Sequence, residues 1–111
     1  MAEEILSLIK RSDDVSFAEM SRIKGFKGDL KYSIGDLGDK NIWLWFGISQ
    51  EAVDALLELR DRIYPVQCHL LVYMADGAYP AIETAKKMVK YKKERWLPVV
   101  WKMRKRDNKN E

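Results

Sequence analysis

The sequence predicts an α+β domain with about three helices and a small antiparallel sheet. Three observations lead there. Ser16 and Glu19 form a capping box, the mark of a helix start. Leu30-Lys31-Tyr32-Ser33-Ile34 alternates apolar and polar residues, the period of a strand. Val53, Leu56 and Leu57 recur at helical spacing behind Ser49, a residue suited to an N-cap.

The elements follow in order. A first helix is expected over Ala2 to Lys10, with Ile5, Leu8 and Ile9 on one face, and Ser12-Asp13-Asp14 breaks it. The second starts at Ser16, has Val15 and Met20 placed as a hydrophobic staple, and is stopped by Gly25. Leu30 to Ile34 and the aromatic-rich run Asn41 to Phe46 then read as a hairpin around the turn-forming stretch Gly35 to Asp39. The third helix is expected from Ser49 to Tyr64, ended by Pro65. Glu51 sits near its positive end, and Glu58 is spaced to pair with Arg62. Val66 to Met74 alternates as a strand, and Asp76-Gly77 is a turn. Ala81 to Tyr91 reads equally as a helix, with Ile82, Ala85 and Val89 on one face, or as a long basic loop. Trp96 to Met103 is the final strand, which Pro98 assigns to a sheet edge. Residues 1–104 are expected to form a single globular domain, and 105–111 a basic, polar, disordered tail.

Composition narrows the function classes. The chain has 111 residues, enough for one domain without staples, and its 47% apolar content argues for an ordered protein. It has one cysteine, Cys68, and one histidine, His69, which excludes an internal disulfide and a zinc finger and fits a reducing compartment. The acidic start and the short apolar stretch Ile5 to Ile9 do not make a signal peptide, and no run approaches the ~20 apolar residues of a membrane span. A soluble, cytoplasmic protein away from membranes is expected.

Charge is the most informative feature. Residues 1–83 hold nine Lys/Arg and fourteen Asp/Glu, a net of −5, whereas residues 84–111 hold eleven and three, a net of +8. The basic segment carries Lys86, Lys87, Lys90, Lys92, Lys93 and Arg95, then Lys102, Arg104, Lys105 and Arg106, with Tyr91, Trp96 and Trp101 interleaved. Phosphates attract such a segment by releasing condensed counterions, and aromatic faces stack on bases. Lys86, Lys87, Lys90, Lys92, Lys93, Arg95, Lys102 and Arg104 are therefore the candidate nucleic-acid contacts, with DNA expected over RNA. A solvated basic surface, or one that docks an acidic protein or a membrane, would carry the same charges.

Four tryptophans in one small domain are many. On a strand, Trp43 and Trp45 share one face while Ile42, Leu44 and Phe46 share the other. Such a strand is either covered on both sides or binds something on its outer face. Trp43 and Trp45 are thus candidate partner contacts, and the alternative function is a non-enzymatic interaction module or homodimer.

No set of residues points to catalysis, a cofactor or a metal, and the protein is not expected to be an enzyme. Cys68 and His69 are neighbours, so on a strand they face opposite ways and cannot work as a pair. Asp13-Asp14 and Asp36/Asp39 sit in turn sequences, where Asp bonds its own backbone. Gly47-Ile48-Ser49 lacks the second glycine of a nucleophile elbow. Gly25-Phe26-Lys27-Gly28 has the GxxG form of an RNA-clamping KH loop, but a strand pattern follows it where that loop leads into a helix.

The order of elements gives a family resemblance. A helix, a capped second helix, a third helix and two strands around a basic loop resemble the winged helix-turn-helix proteins, and the fold expected is winged-helix-like. Val15-Ser16-Phe17-Ala18-Glu19-Met20-Ser21-Arg22-Ile23 resembles that family's first strand and second helix. The resemblance implies that the helix after the turn enters the major groove. It also implies that Ala78 to Arg95 is a wing against the DNA backbone or minor groove. Two departures shift the expected contacts toward the wing. A hairpin, Leu30 to Phe46, stands between the second and third helices, and the helix in the recognition position carries Glu51, Asp54, Glu58 and Asp61. The expectation is a DNA-binding regulator or accessory protein that performs no chemistry.

Overall fold

Ile5 and Ile9 are fully buried on helix α1 (Ala2–Ser12) in the computed structural model, which describes residues 1–77 and 79–105. Asp13 and Asp14 follow with φ of 52° and 47°, positive values uncommon outside glycine, and turn the chain out of α1. Strand β1 (Val15–Ser16) leads directly into helix α2 (Phe17–Met20). Both halves of the capping box form: Ser16 Oγ accepts from the Glu19 amide at 3.2 Å, and Glu19 Oε1 accepts from the Ser16 amide at 3.2 Å.

Strand β2 (Lys27–Tyr32), a 3-10 turn (Gly38–Lys40), β3 (Ile42–Trp43) and β4 (Trp45–Ile48) make the middle of the chain. Helix α3 (Gln50–Glu58) starts at Ser49, whose Oγ accepts from the Ala52 amide at 3.1 Å. Strand β5 (Ile63–Gln67), helix α4 (Leu71–Met74), β6 (Arg95–Trp96) and β7 (Val99–Met103) complete the order. The result is a mixed α/β protein with four helices and small sheets among the described residues. Strands β1, β7 and β5 form one antiparallel sheet with β7 in the middle, and β2 and β4 form another. β3 and β6 pair in parallel over two residues.

An aromatic cluster fills the space between the sheets. Phe17 stacks on Trp45 at 5.5 Å and meets Trp101 edge-on at 5.7 Å, and Tyr73 meets Trp96 edge-on at 4.9 Å. Such pairs contribute roughly 0.5–1.5 kcal/mol each beyond the area they bury. The Tyr73 hydroxyl is buried there with two partners. It accepts from the Phe17 amide at 2.8 Å and donates to the Val99 carbonyl at 2.7 Å. The Phe17 amide is in the first turn of α2 and has no partner within that helix. Val99 lies beyond the last residue of β7 that β1 reaches, since Ser16 pairs with Val100. One phenol thus satisfies a helix start and a strand end together.

Several expectations are corrected. The third helix ends at Glu58 and not at Tyr64. Proline disfavours helical backbone in the residue before it, so Tyr64 is extended, and Ile63–Gln67 pairs in full with β7. The expected strand Val66 to Met74 ends at Gln67, where its partner strand runs out at Val99. Leu71–Met74 then turns into a helix that buries only Tyr73. The final strand is central, not an edge. Pro98 precedes β7, where its missing amide breaks no ladder, and the edge strands are β1 and β5, the second of which carries Pro65. The aromatic run is broken at Leu44, so β4 pairs with β2 while β3 turns away to β6. Of the two readings open for 81–91, helix or basic loop, the loop is the one present. Of the expected tail, 106–111 lies outside the described residues.

The Tyr73 bridge yields a direct prediction. Tyr73→Phe keeps the ring but strands a buried amide and a buried carbonyl, so it should destabilise the protein by about 2–4 kcal/mol, measured by urea denaturation. A loss below about 0.5 kcal/mol would show that the hydroxyl is dispensable.

Candidate nucleic-acid interface

The basic loop runs from Tyr79 to Arg95 and is fixed at its middle and its far end by distant parts of the chain. At its far end the Arg95 amide donates to Asn41 O at 2.7 Å, and the Leu97 amide donates to Trp43 O at 2.9 Å. Trp96, fully buried, donates its indole N–H to Leu44 O at 3.0 Å, which uses the carbonyl freed by the break between β3 and β4. Within the loop, the Ala85 amide donates to Trp96 O at 2.8 Å and the Trp96 amide to Glu83 O at 3.0 Å. Its middle is held by Asn41, whose side-chain amide donates to Tyr91 O at 2.8 Å. Asn41 has φ 62° and ψ 30°, a left-handed conformation that Asn adopts readily. The Tyr91 hydroxyl closes a small turn by donating to Lys87 O and accepting from the Lys87 amide, both at 3.1 Å.

These supports leave an open groove of about 1060 Å³. Tyr79, Tyr91 and Trp96 contribute to its wall, and Lys86, Lys90, Lys92, Lys93 and Arg95 also line it. Its two acids are both compensated. Glu83 lies 3.7 Å from Arg95, and Glu94 pairs with Lys31 of β2. Lys86, Lys87, Lys90, Lys92 and Lys93 are exposed and have no ion pair among the described residues.

The eight candidate contacts therefore separate into two groups. Arg95 is half-buried, stacked 4.5 Å over the Tyr91 ring and bonded to the loop's own Thr84 carbonyl. Its task is to hold the groove wall. Lys102 and Arg104 do not line the groove. Lys102 is paired with Asp14, whose carboxylate raises its pKa, and Arg104 donates to Arg60 O at 3.1 Å and covers Tyr64. The basic segment read from the sequence is thus a cluster of lysines on one loop, with Lys102 and Arg104 tied down elsewhere.

Trp45 is corrected as a partner contact. It is 7% exposed and stacked on Phe17, so it belongs to the core. Trp43 is half-buried and lines a second groove with Leu30, Ile34, Val53 and Leu57. Composition had also missed Tyr79, which is 46% exposed and stacked on Trp96 with an interplanar angle of 11°. Its one local signal is an aromatic beside Pro80 at the head of a basic run.

No family model, no curated protein and no solved structure matches this chain. Among the described residues, no group of three or more His, Cys, Asp and Glu could hold a metal, and no helix is long and apolar enough to cross a membrane. Gly25 and Gly28 have structural reasons. Gly25 has φ +88°, and a side chain on Gly28 would lie 2.5 Å from the Ser49 backbone. His69 Nδ1 accepts from the Leu71 amide at 3.1 Å, at the start of α4 and not on a strand.

Burial pushes the Cys68 thiol up to about 11 from its ordinary 9.0, with the Asp14 carboxylate adding to the shift. The thiolate fraction near neutral pH falls about a hundredfold. Native protein should therefore react with iodoacetamide far more slowly than urea-unfolded protein. Equal rates in the two states would disprove the shielding.

Proposed function

We propose that this protein binds nucleic acid, DNA in the first instance, through Lys86, Lys87, Lys90, Lys92 and Lys93, and performs no chemistry on it. One observation carries the reading. The loop's acids are neutralised by Arg95 and Lys31, while the five lysines, exposed on one loop beside an aromatic wall, lack partners of their own. Phosphate oxygens supply what that surface lacks.

The winged-helix reading belongs to this proposal. Its support is that β5 and β7 are antiparallel neighbours, so the long connection between them stands where a wing would. α3 keeps Glu51, Asp54 and Glu58 exposed, which would repel a phosphate backbone. The wing and not the helix is then the contact, and α3 is a structural element.

Binding of a labelled duplex of about 25 base pairs, followed by fluorescence anisotropy from low to physiological salt, tests this. Micromolar or tighter binding is expected, with log affinity falling against log salt at a slope of about −4.5, from roughly 0.9 per lysine-neutralised phosphate. The combined change Lys90→Glu, Lys92→Glu and Lys93→Glu should abolish binding with the melting temperature held. Absence of binding at low salt, or full binding by that variant, would reject the assignment.

A second reading rests on Trp43. The groove it lines measures about 610 Å³, Leu57 at its rim is 57% exposed, and the Trp43 Nε1 is buried with no partner among the described residues. On this reading a second copy of the chain covers the exposed apolar groove beside the Trp43 ring. Light scattering should then show a dimer that Leu57→Lys converts to monomer, and a monomeric wild type at high concentration would dismiss it.

A further inference from the structure

We infer that the groove beside the basic loop takes an unpaired stretch of nucleic acid, with one base stacked on the outer face of Tyr79 and its flanking phosphates on Lys86, Lys90, Lys92 and Lys93. The inference rests on the nucleic-acid reading above and specifies the form of the ligand.

Tyr79 is held in place from one side. Its ring is stacked on Trp96 at 6.3 Å with the planes 11° apart, so one face is covered and the orientation is fixed by a side chain that is itself fully buried. Tyr79 nevertheless keeps 46% of its surface exposed. An aromatic ring held flat against the core with its other side open is a platform, and placing a base on it requires no rearrangement. Tyr91 is not a rival, because it is half-buried and packed against the core, with the Arg95 guanidinium over its ring and its hydroxyl tied to Lys87.

Tyr79 contributes to a concave groove and not to a ridge. Its volume, about 1060 Å³, is at the top of the ~300–1,000 Å³ range of clefts that hold small ligands. Base faces in a duplex are covered by their neighbours, so a duplex offers the groove only phosphates and edges. An unpaired strand offers phosphates and open base faces together, the combination that a positively charged groove with a stacking aromatic recognises. The apolar part of the lining, Pro80, Ala81 and Ile82, is continuous with Tyr79 in the chain and suits a base or sugar more than a second phosphate.

The test uses the full chain and three fluorescent probes: a blunt duplex, the same duplex with a thymidine overhang, and a thymidine single strand with the phosphate number of the blunt duplex. Wild-type protein should bind the overhang and the single strand at least about fivefold tighter than the blunt duplex, the lower end of what one base–aromatic stack contributes. Tyr79→Leu keeps apolar cover on Trp96 but removes the π face, and it should erase that preference while leaving duplex affinity within about twofold. Tyr79→Phe should retain the preference. Equal binding of all three probes by wild type, or an undiminished preference in Tyr79→Leu, overturns the stacking inference and leaves the basic surface standing. Failure of every probe to bind at low salt overturns the underlying reading and this inference with it.

Discussion

The Tyr73 hydroxyl is the contact on which the rest of the arrangement depends. It sits where a helix start and the central strand of the main sheet meet, and each leaves a polar group that the fold must satisfy. Tyr73 reaches both, Phe17 N–H and Val99 C=O, from a helix of only four residues. So short a helix has almost no stability of its own. It persists because its one buried side chain bridges elements 56 and 26 residues away. The same ring packs edge-on against Trp96, and Trp96 carries both the β6 pairing and the Tyr79 platform. Core and candidate interface are therefore one connected structure.

Local chemistry was legible wherever it was decided locally. The Ser16–Glu19 box, the Ser49 cap, the Ile5/Ile9 face and the Asp76-Gly77 turn each follow from neighbouring residues, and all are present. What sequence periodicity missed was decided by partners distant in the chain. Ile63–Gln67 carries no stronger strand signal than Val66–Met74, but β7 is long enough to pair only with the first. The aromatic run looked like one strand, yet Leu44 breaks it because the Trp96 indole and the Leu97 amide draw the carbonyls of Leu44 and Trp43 elsewhere. Pro98 pointed to a sheet edge because proline is barred from ladder interiors, although the rule equally permits a position just before the strand.

The candidate surface shows the same division. Charge asymmetry identified the basic segment, and five of its lysines do lie exposed on one loop. Composition does not distinguish a lysine that faces solvent from one that holds the fold together. Lys102 answers Asp14 across the corner after α1, Arg104 covers Tyr64, and Arg95 braces Tyr91. Lys31, in the acidic part of the chain, cancels Glu94 and so raises the positive character of a loop more than sixty positions away. Counting charges along the sequence could not assign these partners, because Lys102 with Asp14, Arg104 with Tyr64 and Lys31 with Glu94 each join separate elements.

The anchoring of the basic loop has a consequence for the order in which the chain folds. Its supports at Asn41, Trp43 and Leu44 lie about fifty residues from the amides and indole they receive. Contacts so distant in sequence require closure of a long loop and form late, after local turns and caps are in place. Helices α1 and α3 and the β2–β4 pair draw only on the first 58 residues, whereas the groove exists only once residues 95–97 have docked on β3 and Leu44. A nascent chain therefore carries its lysines unstructured until its final strand is made, and the binding surface is the last part of the molecule to acquire a shape.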